Sequence, residues 1–124
     1  MKGALFNLAL GARGEIMAWG YLLRQGFKIR EKNFHSKLGE IDIVAEKKGR
    51  LYFIEVKTRS GTEYGLPQEA VTREKQKRLA RLAAGYLQKK KKMDSPASFA
   101  VISVLWQPPR DPEIRMIDNA FIVE

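Results

Sequence analysis

Between Arg13 and Gln25, apolar residues recur at Ile16, Trp19, Leu22 and Leu23, the spacing of one helix face, and Gly26 supplies a stop. Glu15 sits at the edge of that stripe, one turn before Ala18 and Trp19 and two before Leu22. The period then changes. Phe27–His35, Glu40–Glu46 and Leu51–Thr58 are short, rich in β-branched and aromatic residues and bounded by turn signals, which predicts three strands. Lys47, Lys48 and Gly49 close a hairpin between the second and third. Ser60–Tyr64 reads as a loop, and Gly65, Leu66 and Pro67 lead into a second helix, where Leu79, Leu82, Ala83, Tyr86 and Leu87 follow an i, i+3, i+4, i+7, i+8 stripe. Lys75 falls on the same stripe, one turn before Leu79. Met93–Ser98 breaks the helix, and Phe99–Trp106 is apolar almost throughout, as expected of a strand covered on both faces. Gln107–Glu113, with its prolines, is a loop, and Ile114–Ile117 is a last edge strand. The order α-β-β-β-α-β-β predicts an α/β fold with a mixed central β-sheet flanked by helices. A strand feeding a helix and then a buried strand predicts a right-handed parallel crossover.

A chain of 124 residues suits one domain with an ordinary core. It has no apolar run long enough to span a bilayer, so no membrane partner is expected. Without cysteine, disulfide frameworks, thiolate zinc sites and cysteine nucleophiles are excluded, and a cytoplasmic location is the simplest expectation. Lys2–Ala12 is too short and too interrupted by Asn7 for a signal peptide and reads as a mobile arm or helical lead-in. Charge changes the picture more. Nine basic residues and one acidic residue lie between Arg73 and Lys92, so nearly all of the net charge of +9 belongs to the second helix and the lysine tail at 88–98. Such a local excess is the footprint of a surface that meets phosphate chains, although a solvated helix face would look the same.

Glu55 and Lys57 are two apart on a strand and therefore share a face, opposite Tyr52, Ile54 and Val56. If Lys48 and Gly49 alone form the hairpin loop, Asp42 falls across from Glu55. Two opposed carboxylates repel, and one must hold a proton unless a cation neutralises them. Mg²⁺ suits such a place, since it takes one or two carboxylates and completes its shell with water and phosphate. Lys57 would stand beside it, placed to activate water or to stabilise charge on the phosphate. An ordinary cross-strand salt bridge remains the alternative. His35, the single histidine, has no serine at triad spacing, and no phosphate-cradling glycine loop is present. Trp19, Tyr86 and Phe99 read as core residues.

The segments GARGEIMAWGYLLRQGFKIREKNF, GEIDIVA, LYFIEVKTR, GLPQEAVTREKQKRL and NAF, taken in order from Gly11 to Phe121, closely resemble the YraN-like bacterial family. That family is similar to archaeal Holliday junction resolvases and belongs to the PD-(D/E)xK nuclease superfamily. The resemblance implies a restriction-endonuclease-like fold and a Mg²⁺-dependent DNA endonuclease, with Mn²⁺ as substitute and branched or structured DNA as substrate. It places Asp42, Glu55 and Lys57 on catalytic positions, Asp42, Glu55 and the Val56 carbonyl on the metal, and Glu15 on the acidic position of the first helix. Arg73, Lys75, Lys77, Arg78 and Arg81 would hold phosphates, Lys75 on the helix bordering the site. Resolvases pair two active sites, so a homodimer is compatible with the resemblance. Where the family carries aspartate after the phenylalanine of the buried strand, this chain has Ala100. That departure motivates the competing expectation, a nucleic-acid-binding module that keeps the fold without turnover.

Overall fold

The computed structural model describes residues 10–61 and 71–120, so the proposed arm before Leu10, most of the loop beyond Ser60, with Gly65–Pro67, and Phe121 lie outside the described residues. Its elements are α1 (Leu10–Arg24), β1 (Lys28–Ser36), β2 (Gly39–Lys47), β3 (Arg50–Arg59), α2 (Arg73–Lys89), β4 (Ala97–Leu105) and β5 (Glu113–Ile117). They follow the expected order and form an α/β fold of the restriction-endonuclease-like kind. The five strands stand side by side in chain order, antiparallel except for the parallel pair β3 and β4. A parallel pair needs a crossover, and α2 provides it. No helix among the described residues is long and apolar enough to cross a membrane.

Each helix has its own apolar layer. On the α2 side, Leu79, Leu82, Ala83 and Tyr86 meet Ile41, Val44, Leu51, Phe53 and Val101. On the α1 side, Ala18 and Leu22 meet Ile43, Ala45, Ile54, Ala100, Ile102 and Val104. The stripe expected on α2 is the one it buries. Thr72 caps its first turn, accepting from the Lys75 N–H at 3.2 Å, and Lys91, left-handed at φ 56°, ends it while the Lys92 N–H reaches back to the Leu87 carbonyl. The α1 face differs from expectation. Ile16 and Leu23 are exposed, and the buried line is Gly14, Ala18 and Leu22. Small residues are needed because α1 lies so close to β3 that a Cβ at Gly14 would overlap Thr58 Oγ1. Strand β4 also begins two residues earlier than expected, since the Leu51 N–H bonds the Pro96 carbonyl and carries the β3 ladder back into the preceding loop.

Register decides where the polar residues go. Lys48 and Gly49, at φ 51° and 80°, form a two-residue turn of the kind that needs left-handed backbone at both positions. Pairing therefore runs from Lys47–Arg50 to Ile43–Ile54, the alignment that brings Asp42 to the level of Glu55. The backbone ladder stops there, one position short of those carboxylates. On the other side of β2, the pairs pass from Lys32–Ile43 directly to Phe34–Ile41 and skip Asn33 and Asp42. Residues two apart on regular strands share a face. Here they do not: Lys32 lies over the Trp19 ring and Ile43 packs on the α1 side, whereas Phe34 and Ile41 pack on the α2 side, Phe34 edge-on to Tyr86. The crossover is at Asn33, left-handed at φ 53°.

Gly14→Ala should destabilise the fold by roughly 1–3 kcal/mol, the usual cost of overpacking, and trimming Thr58 to alanine in the same chain should recover part of the loss. Urea unfolding of the two variants measures both.

Candidate active site

Beyond Ile43–Ile54, β2 and β3 no longer exchange backbone hydrogen bonds, and the Val56 N–H would face that gap unpaired. Asp42 fills it. Its Oδ2 accepts from the Val56 N–H at 2.8 Å, so a side chain continues the ladder where the backbone has left it. Strand alternation turns the Val56 carbonyl toward the same side. Asp42 thus lies between the two faces of the sheet, within electrostatic reach of Glu15 from α1 and of Glu55 and Lys75 from the α2 side.

Glu55 is 8% exposed, one of two buried polar residues among those described. Both lysines converge on its Oε1, Lys75 at 2.6 Å and Lys57 at 3.7 Å. Lys75 can do so because it continues the buried stripe of α2 toward the sheet. Behind Asp42, Glu15 and Glu40 share one partner. Only with its nitrogen outward does the Asn33 carboxamide set a donor between two acceptors, 2.8 Å from Glu15 Oε1 and 3.0 Å from Glu40 Oε1. Among the described residues, four carboxylates and two ammonium groups therefore share this end of β2 and β3, and negative charge is in excess.

Protonation follows from burial first and from that imbalance second. Burial, then repulsion from Glu55 and Glu15, pushes the Asp42 carboxyl up to about 7 despite the Val56 hydrogen bond. Glu15 is also raised, by burial and by Glu40 and Glu55. Burial lowers Lys57 below the ordinary lysine value, and the adjacent Lys75 charge adds to the effect. For Lys75, burial opposes the charge, but the Glu55 hydrogen bond and carboxylate outweigh it and hold the ammonium above its ordinary value. Of two neighbouring amines, one is kept charged and the other is pressed toward neutrality.

The structure brings together Glu15, Asp42, Glu55, Lys57 and Lys75. Lys75, grouped by charge with the phosphate-holding residues, is separated from them: Arg73, Lys77, Arg78 and Arg81 are exposed on α2, whereas Lys75 is half-buried against Glu55. His35 is exposed and outside the cluster. Ala100 is fully buried on the α1 side, paired with Ile54, where an aspartate would need a partner or a proton. Glu40 and Asn33 were not anticipated. Their signal was an Asn within a strand pattern, the residue type that tolerates left-handed backbone, in the strand just before the Gly-Glu-Ile-Asp run.

No three acidic or histidine side chains among the described residues converge tightly enough to form a metal cage on their own. The donor set near Asp42 and Glu55 is all oxygen, carboxylate and backbone carbonyl, and it is under-neutralised. A hard cation that keeps part of its shell as water fits such a set.

Residues 14–104 match the family model described as Uncharacterised protein family UPF0102. A UPF0102 protein of Trichlorobacter lovleyi is 46% identical over 116 residues, covering 93% of this chain and 91% of the relative. One of Geobacter metallireducens is 44% identical, covering 95% and 96% respectively. One of Rhodococcus opacus is 41% identical over 93% of this chain and 98% of its own length.

The raised Asp42 carboxyl carries a stability prediction. Below its unfolded value near 3.8 both states are protonated and the site costs nothing; as pH rises towards about 7 the unfolded chain ionises freely while the folded one resists. Asp42→Asn, which can still accept from the Val56 N–H, should therefore be neutral near pH 3.5 and stabilising at pH 8. The gain should be roughly 1–2 kcal/mol after screening of a half-buried group, read from denaturant midpoints at the two pH values without divalent cations.

Proposed function

We propose that this chain, which belongs to the UPF0102 family, is a divalent-metal-dependent endonuclease that hydrolyses DNA phosphodiester bonds, with branched or structured DNA as its substrate class. The observation that carries the proposal is the meeting of Asp42, Glu55 and Lys57 where β2 and β3 part, beside a lysine that stays charged. An isolated cross-strand salt bridge would leave Asp42 with an ordinary proton affinity. Instead its carboxyl is raised, by burial first and then by the Glu55 and Glu15 carboxylates, more than Lys75 and the Val56 N–H lower it.

Asp42, Glu55 and the Val56 carbonyl would hold Mg²⁺ or Mn²⁺, and the bound cation would supply Lewis acidity at the scissile phosphate and a nucleophile from water at neutral pH. Lys57, whose proton affinity burial lowers below the ordinary lysine value, would orient the attacking water or take up its proton. Lys75 remains an ammonium ion and is suited to the charge that gathers on the phosphate oxygens as the bond breaks. Glu15 and Glu40, on the far side of Asp42, add negative potential that favours the cation. The exposed cations Arg73, Lys77, Arg78 and Arg81 lie on the helix that carries Lys75, and would hold the flanking phosphates without reading bases.

Purified protein incubated with branched and linear duplexes should cut only when Mg²⁺ or Mn²⁺ is present, and Asp42→Ala or Lys57→Ala should slow cutting by about a hundred- to ten-thousandfold. Cation-independent cutting, or full activity in either variant, contradicts the assignment; binding without cutting in every condition indicates a silent DNA-binding module instead.

Changing Arg73, Lys77, Arg78 and Arg81 to glutamine should weaken binding to all sequences alike. Each lost phosphate contact should reduce the slope of log affinity against log salt by about 0.9.

A further inference from the structure

We propose that Asn33 is the positioning residue of this site, setting Asp42 through its backbone and Glu15 and Glu40 through its side chain. The inference rests on the nuclease reading for its functional consequence but not for its geometry.

Three observations meet at this residue. First, Asn33 is the left-handed residue within β1, at φ 53°. Asparagine is among the few residues that adopt that conformation readily. Second, the β1–β2 pairing skips Asn33 and Asp42, and the strands exchange faces there: Lys32 and Ile43 belong to the α1 side, Phe34 and Ile41 to the α2 side. A residue with extended backbone at position 33 would keep Phe34 on the face of Lys32 and hold Asp42 in the β1 ladder, its side chain perpendicular to the sheet. The left-handed turn removes both constraints, and Asp42 reaches sideways to the Val56 N–H. Third, the Asn33 carboxamide stands between Glu15 on α1 and Glu40 on β2, and only with its nitrogen turned towards them can it donate to both. Those carboxylates repel each other, and Glu15 is held at the site by a donor that gives each of them one hydrogen bond.

Conformation and side chain can be separated. Glycine adopts the same backbone at least as easily but has no carboxamide. Asn33→Gly should therefore keep the fold and the Asp42–Val56 bond while releasing Glu15 and Glu40. Asn33→Val, β-branched and averse to left-handed backbone, should also disturb the strand crossover.

The first arm of the test needs no activity. In the metal-free protein at pH 8, the Asn33 side-chain amide resonances should shift when either Glu15→Gln or Glu40→Gln is introduced. Resonances unmoved by both substitutions overturn the carboxamide assignment. The second arm uses cleavage with saturating Mn²⁺. Asn33→Gly should lower kcat by about ten- to a hundredfold, the usual cost of losing a supporting hydrogen bond around a metal site, with KM for DNA within about twofold of the parent. Unchanged kcat in a folded Asn33→Gly protein overturns the functional part of the proposal. If the parent protein does not cut DNA at all, the nuclease reading fails, while the amide resonances still decide whether Asn33 holds the two carboxylates.

Discussion

The site depends on one hydrogen bond in which a side chain takes the place of a strand. The Val56 N–H points to where β2 should continue and meets the Asp42 carboxylate instead. A buried backbone donor left without an acceptor costs about 1–3 kcal/mol, so the aspartate has a structural role as well as a chemical one. Because this bond lies between the faces of the sheet, it gives groups from both helices access to one carboxylate. Glu15 comes from the α1 side, and Glu55, Lys57 and Lys75 from the α2 side. A conventional strand position would expose Asp42 to one face only.

The charges around that bond are in deliberate imbalance. Glu55 is matched by two lysines on a single oxygen, while Asp42, Glu15 and Glu40 share a backbone N–H and an amide. Burial, with repulsion from Glu55 and Glu15, keeps Asp42 avid for protons near neutrality, and the hydrogen bond from the neutral Val56 N–H lowers that affinity without cancelling the charge. The same imbalance makes the site costly to the folded chain in the absence of a cation. Functional sites often carry strain of this kind, which the rest of the fold must offset, and here two complete apolar layers do so.

Periodicity made most of the architecture readable. The stripe on α2, the all-apolar β4 and the alternation of β3 each reflect burial repeated over many residues, and Lys75 could be placed beside the sheet because it continues such a stripe. The alignment of Asp42 with Glu55 was also accessible, since a two-residue loop permits one register. What escaped notice leaves no periodic trace. A single left-handed residue exchanges two faces in one step, so Asn33 and Glu40 looked like ordinary strand residues. On α1 the apolar spacing pointed to Ile16 and Leu23, but close approach to Thr58 selects for absence of volume, and Gly14 contributes nothing to a hydrophobic pattern. Charge counting alone groups Lys75 with its exposed neighbours, and it is the apolar stripe that separates it from them.

In the proposed reading, Asp42 and Glu55 form an incomplete cation site that the lysines only partly neutralise. Anomalous diffraction from crystals soaked in Mn²⁺ tests it most directly. One ion is expected, bound by the Asp42 and Glu55 carboxylates and the Val56 carbonyl, with Lys75 drawn away from Glu55. A protein saturated with Mn²⁺ elsewhere, or showing no ion at all, with the Lys75–Glu55 contact intact, would contradict it.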